Sequence, residues 1–357
     1  MILENIAISG LRNINLLELC AHSSLNWVTG PNGAGKTSLL EAIYLISRGR
    51  GYRGRKHGPL LGTGRELLEV SVLLHSPEED GPPSRLKLTQ SPNALRFYEN
   101  GQAVSGIHSL RRRFHVRLIA DNSQQLLEGQ PGLRRLFLDW NLFHVEPGYG
   151  RILAEFRRVL GQRNAWLRNG ARGQPVWDAD YCRLAEILNE YRRCFLESLD
   201  KILHDPAVTE EFGVAPGINY RSGWPGNNQL ANFLQQSLKE DRERGFTFYG
   251  PPRADFSVYS HHRKSLPSRG QTKSLVFLLQ FAAQRHWLSV GGPPCIWLLD
   301  DLGAELDPHA MSSILKAIAS MPAQVFVTAV ACLGTIPKGY AGGARFHVER
   351  GALIGMA

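Results

Sequence analysis

The nine residues Gly30–Ser38, "GPNGAGKTS", constrain this chain more than any other stretch. They match G-x-x-x-x-G-K-[ST], follow the strand-like "LNWVT" and open a helical pattern, the setting a phosphate-binding loop requires. Gly30, Pro31, Asn32, Gly33, Ala34 and Gly35 are expected to turn backbone N–H groups toward phosphate oxygens. The helix start adds partial positive charge. Lys36 is expected to place an ammonium on the β- and γ-phosphates, with Ser38 beside it, and the Thr37 hydroxyl to ligate Mg²⁺. The loop therefore predicts an α/β fold that binds a nucleoside triphosphate, read as ATP with Mg²⁺. It does not say what the triphosphate is for.

A second element stands far downstream. "CIWLLDDLGAELDP", Cys295–Pro308, is an apolar run ending in two acids, as a strand buried on both faces would read. Ligands of open α/β sheets gather at the carboxyl ends of the strands. Asp300 is thus placed to hold the Mg²⁺ shell, and Asp301 to orient or deprotonate the attacking water. Lys36 and Asp300 are 264 residues apart, so a large segment separates the two halves of one nucleotide site. The texture of that segment is helical: "DADYCRLAEILNEYRRCFLESLDKIL" puts Leu184, Ile187, Leu188, Tyr191, Phe195, Leu199 and Ile202 on one face. The expected division is an ATPase head made of residues 1–130 and 245–357, and a mainly helical lobe over 131–244.

The chain has 357 residues and a net charge of +9, which suits nucleic acid or an anionic surface without choosing between them. Its 5 cysteines lack CxxC spacing, which argues for a reducing cytosol and against a zinc site. No apolar run is long enough for a membrane span, and no leader pattern precedes the first strand. The expected setting is cytoplasmic and nucleoid-associated, with no membrane partner.

"LPSRGQTKSL", Leu266–Leu275, ends in a helix. Ser268, the Gly270 N–H and Gln271 at that helix start form a second anion-binding face. The phosphate loop already covers one side of its own nucleotide, so this face completes a site only on another subunit. That is the arrangement of ABC-type ATPases, in which two protomers sandwich two ATP molecules. "GAELDP" has the position of a D-loop, with Glu305, Leu306 and Asp307 near the seam.

With these motifs together, the chain resembles the RecF family of bacterial DNA replication and repair ATPases, related to the SMC class. The resemblance runs nearly end to end through "LRNI", "GPNGAGKTSLLEAIYLISRGRGYR", "GQPGLRRLFLDWNLFHVEPGY", "FYGPPRADFSV", "PSRGQTKSL" and "LLDDLGAELDP". It implies an ABC/SMC-like head with a short lobe and no long coiled coil. It further implies an ATP-dependent dimeric clamp with weak, DNA-stimulated ATPase activity. The clamp would act on double- and single-stranded DNA at gaps and ds/ss junctions, working with RecO and RecR to help load RecA. It also implies that Arg12 contacts nucleotide. The chain departs from the family pattern in several places. Pro267 stands before the signature serine, Pro252 replaces a histidine, and Asp301 replaces a glutamate. Thr328 and Ala329 stand where a switch histidine would be, and Asn122 and Gln124 compete for the Q-loop role.

Three basic stretches are candidate DNA ligands: Arg48, Arg50, Arg53, Arg55 and Lys56; Arg111, Arg112, Arg113 and Arg117; and Arg163, Arg168 and Arg172, with Trp166 as a stacking ring. Arginines on phosphates give salt-sensitive, sequence-independent affinity. Two other readings compete with the DNA clamp: the cytosolic ATPase subunit of a transporter, and a DNA-binding scaffold with an inactive nucleotide site.

Overall fold

The computed structural model describes residues 2–54, 59–75, 82–104, 114–170, 173, 175–226, 229–260, 268–301, 303, 306–330, 340 and 342–356. The chain divides into two compact units, residues 1–123, 268–284 and 293–357, and residues 124–267 and 285–292.

Alternation builds the first sheet of unit one. β1 (Ile2–Leu11), β2 (Ile14–Cys20), β4 (Leu68–His75), β5 (Ser84–Gln90), β6 (Leu95–Glu99) and β7 (Gln102–Val104) form it in the order β2-β1-β4-β5-β6-β7. Its pairings are antiparallel throughout. Ile6, Ile8, Val70, Val72, Leu86, Leu88 and Phe97 fill one face, and polar residues occupy the other. Unbroken apolar runs build the second sheet, ordered β14-β13-β3-β12-β11-β8. β3 (Leu25–Thr29), β8 (Val116–Ile119), β11 (Ile296–Leu299), β12 (Gln324–Ala329) and β13 (Gly343–Glu349) run parallel. β14 (Ala352–Met356) returns antiparallel on β13. β11 and β12 are buried at every position, as a parallel strand covered on both faces must be.

Helix α1 (Lys36–Arg48) joins the two sheets into one core through Leu39, Ile43 and Ile46. The Arg269–Ser289 helix covers β11 from another side, where the rings of Phe277 and Trp297 meet at 5.5 Å between centroids. Both phosphate-loop ends and both acids therefore lie along the carboxyl edge of one parallel sheet.

Unit two is mainly helical. The Tyr149–Arg168 and Asp178–Leu203 helices pack together through Phe156 and Tyr181, whose centroids are 5.2 Å apart. The unit also holds a two-stranded antiparallel sheet, β9 (Pro216–Arg221) on β10 (Asp255–Ser260). The seams fall at 123/124, 267/268, 284/285 and 292/293, where the sequence suggested 130/131 and 244/245. Long-range ties explain the shift. The β9–β10 pairing carries residues past 245 into the lobe, and Arg285 reaches Asp205 at 2.9 Å. Among the described residues, no helix is long and apolar enough to cross a membrane.

Candidate nucleotide and nucleic-acid sites

Gly30, Gly33 and Gly35 all take positive φ, so the loop needs glycine's freedom. At Gly30 the need is also steric, because a Cβ would sit 2.1 Å from the Val348 carbonyl. The loop frames a cavity of ≈ 360 Å³ lined by Asn32 through Ser38 together with Arg12, Asn13, Arg53 and Asp301. Lys36 is buried and donates to the Gly30 and Pro31 carbonyls at 2.7 and 2.9 Å. Burial lowers its ammonium pKa, and the charges of Asp301 and Asp300 work against that drop.

Asp300 collects hydroxyls. Thr37 Oγ1 donates to Oδ1 at 3.0 Å, Thr328 Oγ1 to the same oxygen at 2.9 Å, and the Tyr52 hydroxyl to Oδ2 at 2.8 Å. Burial pushes the Asp300 carboxyl up, with the three hydroxyl contacts opposing the rise and Asp121 adding to it. Asp301 takes a left-handed backbone, φ 47°, and its N–H donates to Thr328 Oγ1 at 2.8 Å. Such strain in a non-glycine residue persists only where the surroundings fix it, and it clusters at functional sites. Thr328 thus holds both acids from the neighbouring strand. Hard oxygen donors from Thr37 and Asp300 converge, as a small divalent cation such as Mg²⁺ prefers.

One arrangement was not legible beforehand. Glu41 on α1 is fully buried and pairs with both Arg12 and Arg53. Arg12 Nη2 donates to Oε1 at 2.9 Å, and a second Arg12 contact, from Nε, reaches Oε2. Arg53 Nε donates to Oε2 at 3.1 Å, and Arg53 Nη2 reaches Ser38 Oγ at 3.1 Å. Burial pushes the Glu41 carboxyl up, but the two guanidiniums more than offset this and hold it below the usual carboxylate range. Its folded-state pKa is depressed, so its stabilisation is present above pH 4.5 and is lost as pH falls through the lower folded value. Glu41→Gln is expected to weaken ATP binding about 10-fold, since charged hydrogen bonds fix both guanidiniums on the cavity. Fluorescent-nucleotide titration measures this. The variant is also expected to show a shallower loss of stability below pH 4.5 than the parent.

Ser268 and Gln271 hold each other in a reciprocal cap of the Arg269–Ser289 helix. The Ser268 N–H donates to Gln271 Oε1 at 3.0 Å, and the Gln271 N–H to Ser268 Oγ at 3.3 Å. Ser268 is exposed and Gly270 half-buried. Asp307 caps the Pro308–Ala319 helix by accepting from the Ala310 N–H at 2.8 Å. Among the described residues, neither these groups nor Asn122 and Gln124 line the phosphate-loop cavity.

The family model for the RecF/RecN/SMC N-terminal domain matches residues 2–332. The "DNA replication and repair protein RecF" of Thioalkalivibrio sulfidiphilus is 36% identical over 362 residues, spanning 99% of each chain. The chain belongs to the RecF family. The Stenotrophomonas maltophilia RecF is 34% identical over the whole of both chains. Two solved structures share the fold. One, described as the recombination mediator protein RecF with ATP in the RecFOR pathway, has TM-score 0.80 at 24% identity, covering 100% of this chain and 98% of its own. The other is an Smc head bound to the C-terminal winged-helix domain of ScpA, with TM-score 0.60 at 13% identity and coverage of 100% and 97%. The fold is thus an ABC/SMC-type ATPase head, α/β in class.

In this RecF-family chain, ion pairs tie two of the motifs quoted above into unit two. Arg134 of "RRLFLDW" forms a two-pronged pair with Asp255 of "PPRADF" at 2.6 and 3.1 Å. Asp139 accepts from Tyr149 and Arg192 at 2.6 and 2.8 Å.

The structure sorts the proposed DNA ligands differently from the sequence. Arg163 is fully buried and bound to Asp178, Asp241 and Thr247 at 2.7, 3.0 and 2.7 Å. It has no surface to offer a phosphate, and neither does Arg117, buried with its guanidinium on Gln284 and Gln280 at 2.8 and 2.7 Å. Trp166 packs between Trp177 and Arg242, so its ring is already engaged. Arg53 belongs to the nucleotide cavity through Glu41. Arg50 and Arg168 are exposed. Arg55, Lys56, Arg111, Arg112, Arg113 and Arg172 lie outside the described residues, as do Pro267 and Glu305.

Proposed function

We propose that the chain is an ATP-dependent DNA clamp of recombinational repair. It dimerises on ATP at single-strand gaps and ds/ss junctions and helps load RecA with RecO and RecR. One observation carries the reading: Lys36, Thr37 and Asp301 line one cavity, with Asp300 bound to the Thr37 hydroxyl, while the helix start at the exposed Ser268 does not line it. A nucleotide held on one side by its own loop leaves its outer side to the helix start of a second copy.

Thr37 and Asp300 would hold Mg²⁺, which supplies charge neutralisation on the β- and γ-phosphates. The loop N–H groups and Lys36 bind and orient the triphosphate tail. Arg12, locked by Glu41, adds a fixed positive charge to the same cavity. Asp301, held by Thr328, is placed to orient the attacking water or take its proton. Its arm is shorter than a glutamate's, so turnover is slow and ATP acts as a timer for the clamp. Arg50 and Arg168, with the stretches at 55–56 and 111–113, supply phosphate contacts on DNA. The protein works in the cytoplasm, associated with the nucleoid.

Light scattering tests the composite site. The parent is expected to double its molar mass with Mg-ATP but not with ADP, and Ser268→Arg to remain at the monomer mass with either. A mass indifferent to ATP and to the substitution overturns the clamp and favours a nucleotide-inactive scaffold. Hydrolysis that is lost on replacing Lys36 excludes that scaffold.

A further inference from the structure

The antiparallel sheet buries one face in the core, and its other face carries charge that the nucleotide cavity does not use. Arg85 and Lys87 stand two apart on β5, so both point away from the core. Across the pairing with β6, Arg96 lies opposite Thr89 and Tyr98 opposite Lys87. Side chains two apart on a strand are about 6.6–6.8 Å apart, and those facing each other across strands about 4.5–5.5 Å. Together with Leu67 at the rim they enclose a concavity of ≈ 530 Å³.

Three cations meet there, against one acid. Glu69 pairs with Lys87 at 2.7 Å. Arg85 and Arg96 are exposed, and among the described residues their guanidiniums have no carboxylate partner. The concavity also has apolar surface: Leu67 is 52% exposed, and the half-buried Tyr98 ring lies among the cations.

We propose that this sheet face binds single-stranded DNA. The cations follow the phosphodiester backbone, and Tyr98 and Leu67 receive base faces. A positively charged groove with an aromatic platform binds unpaired strands without reading their sequence. A duplex keeps its bases stacked inside and would engage the cations alone, leaving Tyr98 and Leu67 without partners. The inference rests on the reading that the chain binds DNA, and it gives the single-strand side of a gap a surface of its own.

The test uses the full chain with Mg-ATP and fluorescence anisotropy on labelled oligo(dT) and on a duplex of equal length, over a salt series. Arg85→Ala combined with Arg96→Ala is expected to weaken oligo(dT) binding about 10-fold or more and to flatten the log–log salt slope by about 1.4, at about 0.7 per phosphate contact. Tyr98→Ala is expected to weaken it about 10-fold with little change in slope, whereas Tyr98→Phe keeps the ring and the affinity. Duplex binding is expected to change less than 2-fold in Tyr98→Ala, and to fall in the double arginine variant by less than oligo(dT) binding does. Variants that bind oligo(dT) like the parent, or that lose duplex and oligo(dT) equally, overturn the single-strand assignment while the clamp reading stands. A parent that binds neither DNA overturns the clamp reading as well. All three substituted residues sit on the solvent face, and circular dichroism verifies folding before titration.

Discussion

Asp300→Asn is expected to cut Mg-dependent ATP hydrolysis by about 100- to 1,000-fold, because a metal stabilises several kcal/mol of transition-state charge and each 1.36 kcal/mol is tenfold in rate. Asparagine keeps the size of the side chain and an oxygen for Thr37 and Thr328, but removes the negative charge that would hold the cation. The same change is expected to leave thermal stability equal or higher. The carboxylate is buried and its pKa is raised, so its ionisation opposes folding above its ordinary pKa. Hydrolysis near the parental rate would show that another residue carries the metal. A large fall in melting temperature would show that the Tyr52, Thr37 and Thr328 contacts serve packing first.

Arg163→Ala is expected to destabilise unit two by about 3–5 kcal/mol, since it strands Asp241 as an unpaired buried charge. Both side chains are fully buried, and Asp241 also accepts from the Phe248 N–H at 3.1 Å, so water has no easy route to replace the guanidinium. For a unit of this size the midpoint falls by roughly 10 °C. Calorimetry measures the fall, and DNA titration of the folded variant separates this role from the one its sequence suggested. A phosphate ligand would lower the salt slope by about 0.9 on a duplex and leave stability alone. An unchanged midpoint with a lowered slope would return Arg163 to the DNA surface.

These two residues mark the limits of reading the chain from its sequence. Local patterns were legible: the phosphate loop, the apolar runs of β11 and β12, and the helices whose stripes repeat over many turns. Each depends on neighbours within a few residues. Pairings across the chain were not legible. Tyr52 meets Asp300 across 248 positions, and Arg163 meets Asp241 across 78. A basic helix face and a buried ion pair have the same local sequence. Glu41 misleads in the same way. In "SLLEAIY" it reads as the wet side of an amphipathic helix, yet the arginines at 12 and 53 close over it. Thr328 stood out only as an absent histidine, whereas its hydroxyl is what both acids share. The second lobe boundary lies further along the chain for a related reason, because β10 pairs with β9 across more than thirty positions.

The hairpin of β13 and β14 has a consequence for biosynthesis. Its turn presses on the phosphate loop: the Gly351 N–H donates to the Ala34 carbonyl at 2.7 Å, and the Val348 carbonyl fills the space above Gly30. β3, which leads into that loop, has β13 as its parallel neighbour. A ribosome therefore releases the loop's residues early and the surface that shapes them more than three hundred residues later. Until residue 351 emerges, a nascent chain carries the ATP motif without its finished cradle. Fragments that end before residue 351 are accordingly expected to bind nucleotide more weakly than the full chain.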